Sequence, residues 1–137
     1  MDAAERLSVL CCTPADQVKT FAEAMIPELD QIEVLTSRTG LIMLPMRDHV
    51  QGEAFHLGEV LVSEAHVRLN DVEGYAVCLG RDRQQSLAVA LIDAAWSAGY
   101  AQQSIAAFVL NAQQTFLNAD QTLLRQVAAT RVNMETF

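Results

Sequence analysis

The sequence predicts an α+β fold: an antiparallel sheet of about four strands, flanked by N-terminal helices, a central helix and apolar C-terminal helices used for subunit assembly. Three observations point there. From Gly52 to Gly99 a strand-type stretch carrying Phe55, Val60, Val62, Val67, Tyr75 and Val77 gives way to an Ala- and Leu-rich helical run. Between the two later strands, Asp71-Val72-Glu73-Gly74 supplies turn chemistry, because Gly74 can take a positive φ without steric cost. The helical run at 83–98 has a start and a stop: Asp82 precedes Gln85 at capping-box spacing, and Gly99 follows as an αL cap.

In chain order, residues 3–11 place Leu7, Val9 and Leu10 as a short helix. Thr13 is the expected N-cap of a second helix over 14–26, with Pro14 at its first position and Pro27 ending it. Strands at 32–37 and 40–46 are expected to pair around Ser37-Arg38-Thr39-Gly40. The second of them, Leu41 to Met46, is apolar on both faces and so is expected to be covered on both sides, with Pro45 near an edge or strand end. Residues 47–52 make the next connection.

The strand at 54–69 slips in phase. Phe55 and Leu57 are apolar at odd positions, Val60 and Val62 at even ones, and Val67 and Leu69 at odd again. A bulge at Gly58 accounts for part of this; cover on both faces of 59–63 is the alternative. Beyond the slip, Glu64, His66 and Arg68 share one face. That face is either the solvent side of an antiparallel sheet or a surface for a ligand or partner. A further strand at 74–80 completes the sheet.

Helix 83–98 has two apolar stripes, one through Leu87, Ala90, Leu91, Ala94 and Ala98 and another through Val89, Ile92 and Trp96. It needs cover on more than one side. The sheet supplies one side, and the C-terminal third is the candidate for the other. There, Ile105, Phe108, Val109, Ala112 and Phe116 give a helix over 102–117. Asn118-Ala119-Asp120 reads as a break, and Leu123, Leu124, Val127, Ala128 and Val132 give a second helix, with Arg125 and Arg131 in its later half. These helices either fold back on the chain or reach across to another one; the second is the expectation.

Bulk properties narrow the function. At 137 residues, 51% of them hydrophobic and 6% aromatic, the chain is one domain able to bury roughly 68–70% of its unfolded surface. No apolar run approaches the ~20 residues of a membrane helix, and the acidic start lacks the basic region of a signal peptide, so a cytoplasmic location is expected. A net charge of −8 argues against nucleic-acid binding, which relies on Lys and Arg to neutralise phosphates. Three cysteines without CxxC or Cys/His spacing read as reduced, buried thiols; a reactive thiol at Cys11-Cys12 is the other reading, against which stands the lack of a nearby basic cluster to lower a pKa there. His49, His56 and His66 show no metal-ligand spacing, and GxSxG, P-loop and GxGxxG motifs are absent. Spacing alone shows no enzyme; it describes a subunit with surplus apolar helix surface.

Three blocks carry a resemblance. Gly52-Glu53-Ala54-Phe55-His56-Leu57-Gly58-Glu59-Val60-Leu61-Val62-Ser63-Glu64-Ala65 is the first. Gly74-Tyr75-Ala76-Val77-Cys78-Leu79-Gly80-Arg81-Asp82, continued by Ala90-Leu91-Ile92-Asp93-Ala94, is the second, and Ala128-Ala129-Thr130-Arg131-Val132 the third. With the opening helix from Arg6 to Cys12, they resemble, in order and over nearly the whole chain, the G-subunit family of the carbon–phosphorus lyase core complex. Asn133-Met134 departs from the acidic and aromatic residues the family tends to have there. The resemblance implies a bacterial cytoplasmic protein of phosphonate catabolism, in a two-fold hetero-oligomer with H, I and J subunits and a nucleotide-binding L protein. With H, I and L it would support attack of methylphosphonate on C1′ of the ATP ribose. Adenine leaves, giving α-D-ribose 1-methylphosphonate 5-triphosphate. No cofactor is expected in this chain: ATP is a substrate of the complex, and iron–sulfur and S-adenosylmethionine chemistry belongs to the J subunit. No catalytic residue is assigned. Arg81 and Asp82, at the strand-to-helix junction where helix N–H groups favour phosphate, are the first candidates for substrate contact, and Arg47, Glu64 and His66 follow. Helix capping with a local ion pair is the other reading of Arg81-Asp82. A regulatory binding module and a purely structural assembly subunit remain the alternatives.

Overall fold

A computed structural model describes residues 2–29 and 31–130, without the side chain of His56. The expectations for Arg131, Val132 and Asn133-Met134 lie outside the described residues. The chain is α+β, with α1 (Ala3–Cys12), α2 (Ala15–Met25) and a 3-10 turn (Ile26–Glu28) ahead of β1 (Ile32–Arg47), β2 (Ala54–Leu69) and β3 (Val72–Leu79). Helices α3 (Arg83–Ala98) and α4 (Gln102–Ala129) complete it.

Helix ends follow local hydrogen bonding. Asp2 caps α1 by accepting from the Glu5 N–H at 2.8 Å. Thr13 does not cap α2 as its sequence context suggests. Its hydroxyl donates backwards to the Val9 carbonyl at 2.7 Å, closing α1, and Pro14 occupies the cap of α2 without a side-chain bond. Asp82 caps α3 as expected, and Gly99 ends it at φ +86°. Gln85 does not complete a capping box; its amide reaches the Cys11 carbonyl instead, at 3.4 Å.

The described sheet is antiparallel in the order β1-β2-β3. The two strand segments expected at 32–37 and 40–46 are both extended, but they join into the single 16-residue β1, which pairs along its length with β2. Ser37–Gly40 is not a turn, because Gly40 keeps an ordinary strand conformation. The reversal lies at 48–53, where Asp48 accepts from the Val50 N–H and Gly52 takes φ +70°. The first change of phase is a bulge. Leu44 pairs with Gly58 and Pro45 with His56, so Leu57 is the extra residue, next to the glycine that the pattern singled out. At the second, neighbouring Val62 and Ser63 are both buried, so both faces are covered there. The turn into β3 is the two residues Asn70-Asp71, with Asn70 at φ +57°; Gly74 is not part of it but sits inside β3.

The core lies between the sheet and α3. Val67, Leu69, Ala76 and Cys78 are buried with Val89, Ile92 and Ala95 of the helix. The second face of α3 is covered by α1 and α2, through Leu10, Val18, Ala22 and Met25, and not mainly by the C-terminal third. Helix α4 runs unbroken through Asn118-Ala119-Asp120. Only Ile105 and Val109 of it are buried, near its start, where Phe108 also stacks on Phe21 at 4.4 Å. A helix of 28 residues is about 42 Å long, so most of α4 projects beyond the core. The distal halves of β1 and β2 project likewise. Leu41, Met43 and Leu57 there are 61%, 56% and 62% exposed, although the apolar pattern of 41–46 suggested cover on both faces.

Candidate functional site

The five residues singled out from the sequence fall in three places. Glu64 and His66 lie on the outer face of β2, opposite the core, as the alternation requires. The two-residue turn at Asn70-Asp71 sets the register of β3, placing Tyr75 opposite His66. The Tyr75 hydroxyl donates to one Glu64 carboxylate oxygen, and Arg38 of β1 donates to the other at 2.8 Å. His66 Nε2 lies 3.3 Å from Glu73, and Arg68 bridges Glu73 at 3.4 Å and Glu33 at 3.7 Å. The backbone of Tyr75 is anchored from the core side: its N–H donates to Asp93 at 3.2 Å, and Asp93 pairs with the buried Arg6, which lies over Trp96.

The electrostatics of this face push its groups away from neutral pH. The Tyr75 hydroxyl, and then Arg38, hold the Glu64 carboxyl below the usual carboxylate range. The same bond to Glu64 pushes the Tyr75 phenol up. His66, followed by Arg68, lowers Glu73. A general acid or base works best with a pKa near the working pH. Glu64, Glu73 and Tyr75 are therefore suited to presenting a fixed pattern of charges and donors, and poorly suited to moving protons at neutrality.

Arg81 and Asp82 lie at the start of α3, in an open pocket of about 440 Å³ lined also by Ser37, Arg83, Gln84 and Leu87. Asp82 accepts from the N–H groups of Gln84 at 3.1 Å and Gln85 at 3.2 Å, and from the Lys19 ammonium at 2.7 Å. The Lys19 contact, reinforced by the helix N–H groups, lowers its pKa. Those helix N–H groups are thus taken by a carboxylate of the chain itself. The charge that the pocket leaves available is carried by Arg81 and Arg83, neither of which is paired with a carboxylate among the described residues.

Arg47 is apart from both groups. It ends β1, nine residues beyond Arg38, or roughly 30 Å along the strand. Sequence reasoning missed Arg38, Tyr75 and Lys19. Tyr75 was accessible in principle: with a two-residue turn in place of one at 71–74, alternation puts it beside Glu64 and His66. Arg38 meets Glu64 only through the register of β1 on β2, at a stretch whose sequence reads as a turn. Lys19 reaches Asp82 across 63 residues of chain, and no local pattern marks that contact. Among the described residues, no three His, Cys, Asp or Glu side chains group as metal ligands, and no helix is long and apolar enough to cross a membrane.

Comparison with known proteins adds a family. A family model described as "Phosphonate metabolism protein PhnG" matches residues 3–137. The alpha-D-ribose 1-methylphosphonate 5-triphosphate synthase subunit PhnG of Rhizobium meliloti (strain 1021) is 32% identical over 100 residues, which is 72% of this chain and 64% of that protein. The match thus spans slightly less than two thirds of the relative's length.

Proposed function

The chain belongs to the PhnG family of phosphonate metabolism proteins, and from that premise we propose that it is a subunit of the carbon–phosphorus lyase core complex. In this reading it supports, with the H, I and L proteins, transfer of the ribose triphosphate of ATP to methylphosphonate. Adenine is released and α-D-ribose 1-methylphosphonate 5-triphosphate forms, the product named in the relative's own description. The complex is cytoplasmic and two-fold, and includes the J subunit, which carries the iron–sulfur and S-adenosylmethionine chemistry. This chain needs no cofactor.

The observation that carries the reading is the apolar surface left open on the projecting β1–β2 ribbon, where Leu41, Met43 and Leu57 face outward. Exposed apolar area on this scale, on a chain of net charge −8, is the mark of a surface that is covered in use. The chain's role is to hold and orient its partners. Arg81, with Asp82 steadying the start of α3, provides a cationic contact for a phosphate or phosphonate oxygen. Arg47, Glu64 and His66 are secondary contacts, to substrate or to a neighbouring subunit. The bond between Glu64 and Tyr75, which holds both groups away from neutral pH, supports a positioning role for them over acid–base catalysis. A non-catalytic binding or assembly module with the same fold is the second reading, favoured by the same ribbon.

The test is co-expression with the H, I and J subunits, then size exclusion and an assay of adenine release from ATP and methylphosphonate with L added. Co-elution, with activity lost when this chain is omitted, supports the subunit reading. A soluble monomer that ignores those partners overturns it.

A further inference from the structure

One pair of side chains has no part in the fold's charge networks or in the proposed subunit role. Cys11, on the last turn of α1, and Cys78, on the inner face of β3, are 67 residues apart in sequence, and their sulfurs lie 3.5 Å from each other. β3 is one edge strand of the described sheet, and α1 crosses it at this point, with the Cys11 S–H donating to the Val77 carbonyl at 3.4 Å. Cys78 is buried at 1% exposure, whereas Cys11 is only half-buried. Cys11 is therefore the more exposed residue of the pair and Cys78 the enclosed one. Cys12 is exposed and is turned about 100° around the helix from Cys11.

We propose that Cys11 and Cys78 form an oxidation site, closed to a disulfide by hydrogen peroxide or an alkyl hydroperoxide. The Cys11 thiolate attacks a peroxide oxygen and the O–O bond breaks. With hydrogen peroxide, the departing hydroxide takes a proton and leaves as water, and Cys11 becomes a sulfenic acid. Cys78 Sγ then attacks Cys11 Sγ; the S–S bond forms, the S–O bond breaks, and a second water leaves with the Cys78 proton. Two thiols are oxidised by two electrons and one peroxide is reduced to two waters.

The sulfurs need to approach by about 1.5 Å to reach the 2.05 Å of a disulfide. The hydrogen bonding assigns the roles. Cys78 donates its S–H to Cys11, which favours the Cys11 thiolate and lowers its pKa, while the same bond, with burial added, pushes the Cys78 thiol up. Cys11 is thus the sulfur that meets the oxidant and Cys78 the one that resolves it. The product staples the N-terminal helix to the edge strand.

The test uses the full chain in its native state. It is treated with hydrogen peroxide, cleared of peroxide with catalase, unfolded in urea with N-ethylmaleimide present so that every remaining thiol is blocked, digested with trypsin without reductant and read by mass spectrometry. The expected product joins the peptide Leu7–Lys19 to the peptide Leu69–Arg81, is lost on adding dithiothreitol, and survives in Cys12→Ser. Cys11→Ser, at a half-buried position that tolerates the change, abolishes it. In Cys78→Ser, Cys11 is expected to accumulate as a dimedone-reactive sulfenic acid. The oxidised protein should melt roughly 5 °C or more above the reduced one, because the cross-link constrains the unfolded chain. Retention of three alkylatable thiols after peroxide overturns the proposal, as does linkage through Cys12 or between two chains.

Discussion

Gly74 and Ala94 leave no room for a side chain between them. A Cβ built on Gly74 would stand 2.7 Å from the Ala94 nitrogen and 2.8 Å from its Cβ, and nearer still to the carbonyl oxygen of Ala90. The glycine lets α3 lie directly on β3, and this contact fixes the height of the helix above the sheet. Gly74→Ala meets backbone rather than a flexible side-chain end, so the helix must lift. We expect a loss of about 3 kcal/mol or more, beyond ordinary overpacking, read as a lower urea midpoint or loss of folded protein. Gly40→Ala is the control. It has open space around it and an ordinary strand φ, and the unfolding free energy should change by less than about 1 kcal/mol in either direction.

Asp82 both caps α3 and pairs with Lys19. Asp82→Ala should cost about 1 kcal/mol through the cap. The ion pair adds little, since the two side chains are 38% and 29% exposed and screened by water. The carboxyl is lowered in the folded state, so its contribution is present above the ordinary pKa of about 3.9 and fades as pH falls through the lower folded value. Urea midpoints measured from neutral to acidic pH should therefore converge for wild type and Asp82→Asn below that range. Curves that stay parallel would show that the charge is not what Asp82 contributes.

The Glu64–Tyr75 bond makes opposite demands at the two ends of the pH scale. Glu64 is lowered, so its share of stability holds above about 4.3 and is lost on acidification. Tyr75 is raised, so its share holds below about 10 and is lost as pH rises through the folded value. In a Tyr100→Phe background Tyr75 is the only tyrosine, and tyrosinate absorbance reads it alone. Glu64→Gln should bring that titration down towards pH 10. An unchanged midpoint would mean that the two side chains do not share a proton in solution.

What could be read in advance depended on how local the cause was. Asp82 and Gly99 announced α3 because capping acts within one turn, and the period-two pattern of 64–68 put Glu64, His66 and Arg68 on one face. Gly58 pointed to the bulge at Leu57 because a change of phase has to be absorbed somewhere nearby. Ser37-Arg38-Thr39-Gly40 misled, since turn-type residues tolerate an extended backbone when a long partner strand pairs with them. Asn118-Ala119-Asp120 misled in the same way: polar residues on an exposed helix weaken it by only tenths of a kcal/mol, too little to stop propagation. Gly74 was chosen for a helix 16 to 20 residues further on, a cause that no short window contains. Arg81-Asp82 was legible as a junction, but the partner that holds Asp82 comes from α2.

The ribbon of β1 and β2 offers the sharpest separation of folding from assembly. Its outward apolar residues contribute little to the buried core, so changing them should leave the domain intact. Leu57→Asp is expected to change the unfolding free energy from urea titration by no more than about 0.5 kcal/mol, as for an exposed site, while removing apolar area from the surface offered to a partner. The new carboxylate would also have to be desolvated on docking, which costs several kcal/mol if it finds no cation there. A loss of ~2–3 kcal/mol in association corresponds to roughly a 30- to 150-fold weaker complex. In the proposed assembly, co-purification of the H, I and J subunits on a tagged Leu57→Asp chain should therefore fall sharply, while its far-UV spectrum and midpoint match wild type. Leu124→Asp, on the exposed half of α4, asks the same of the second projecting element. If Leu57→Asp assembles normally and Leu124→Asp does not, the partner is held by α4, and the ribbon is covered by something else.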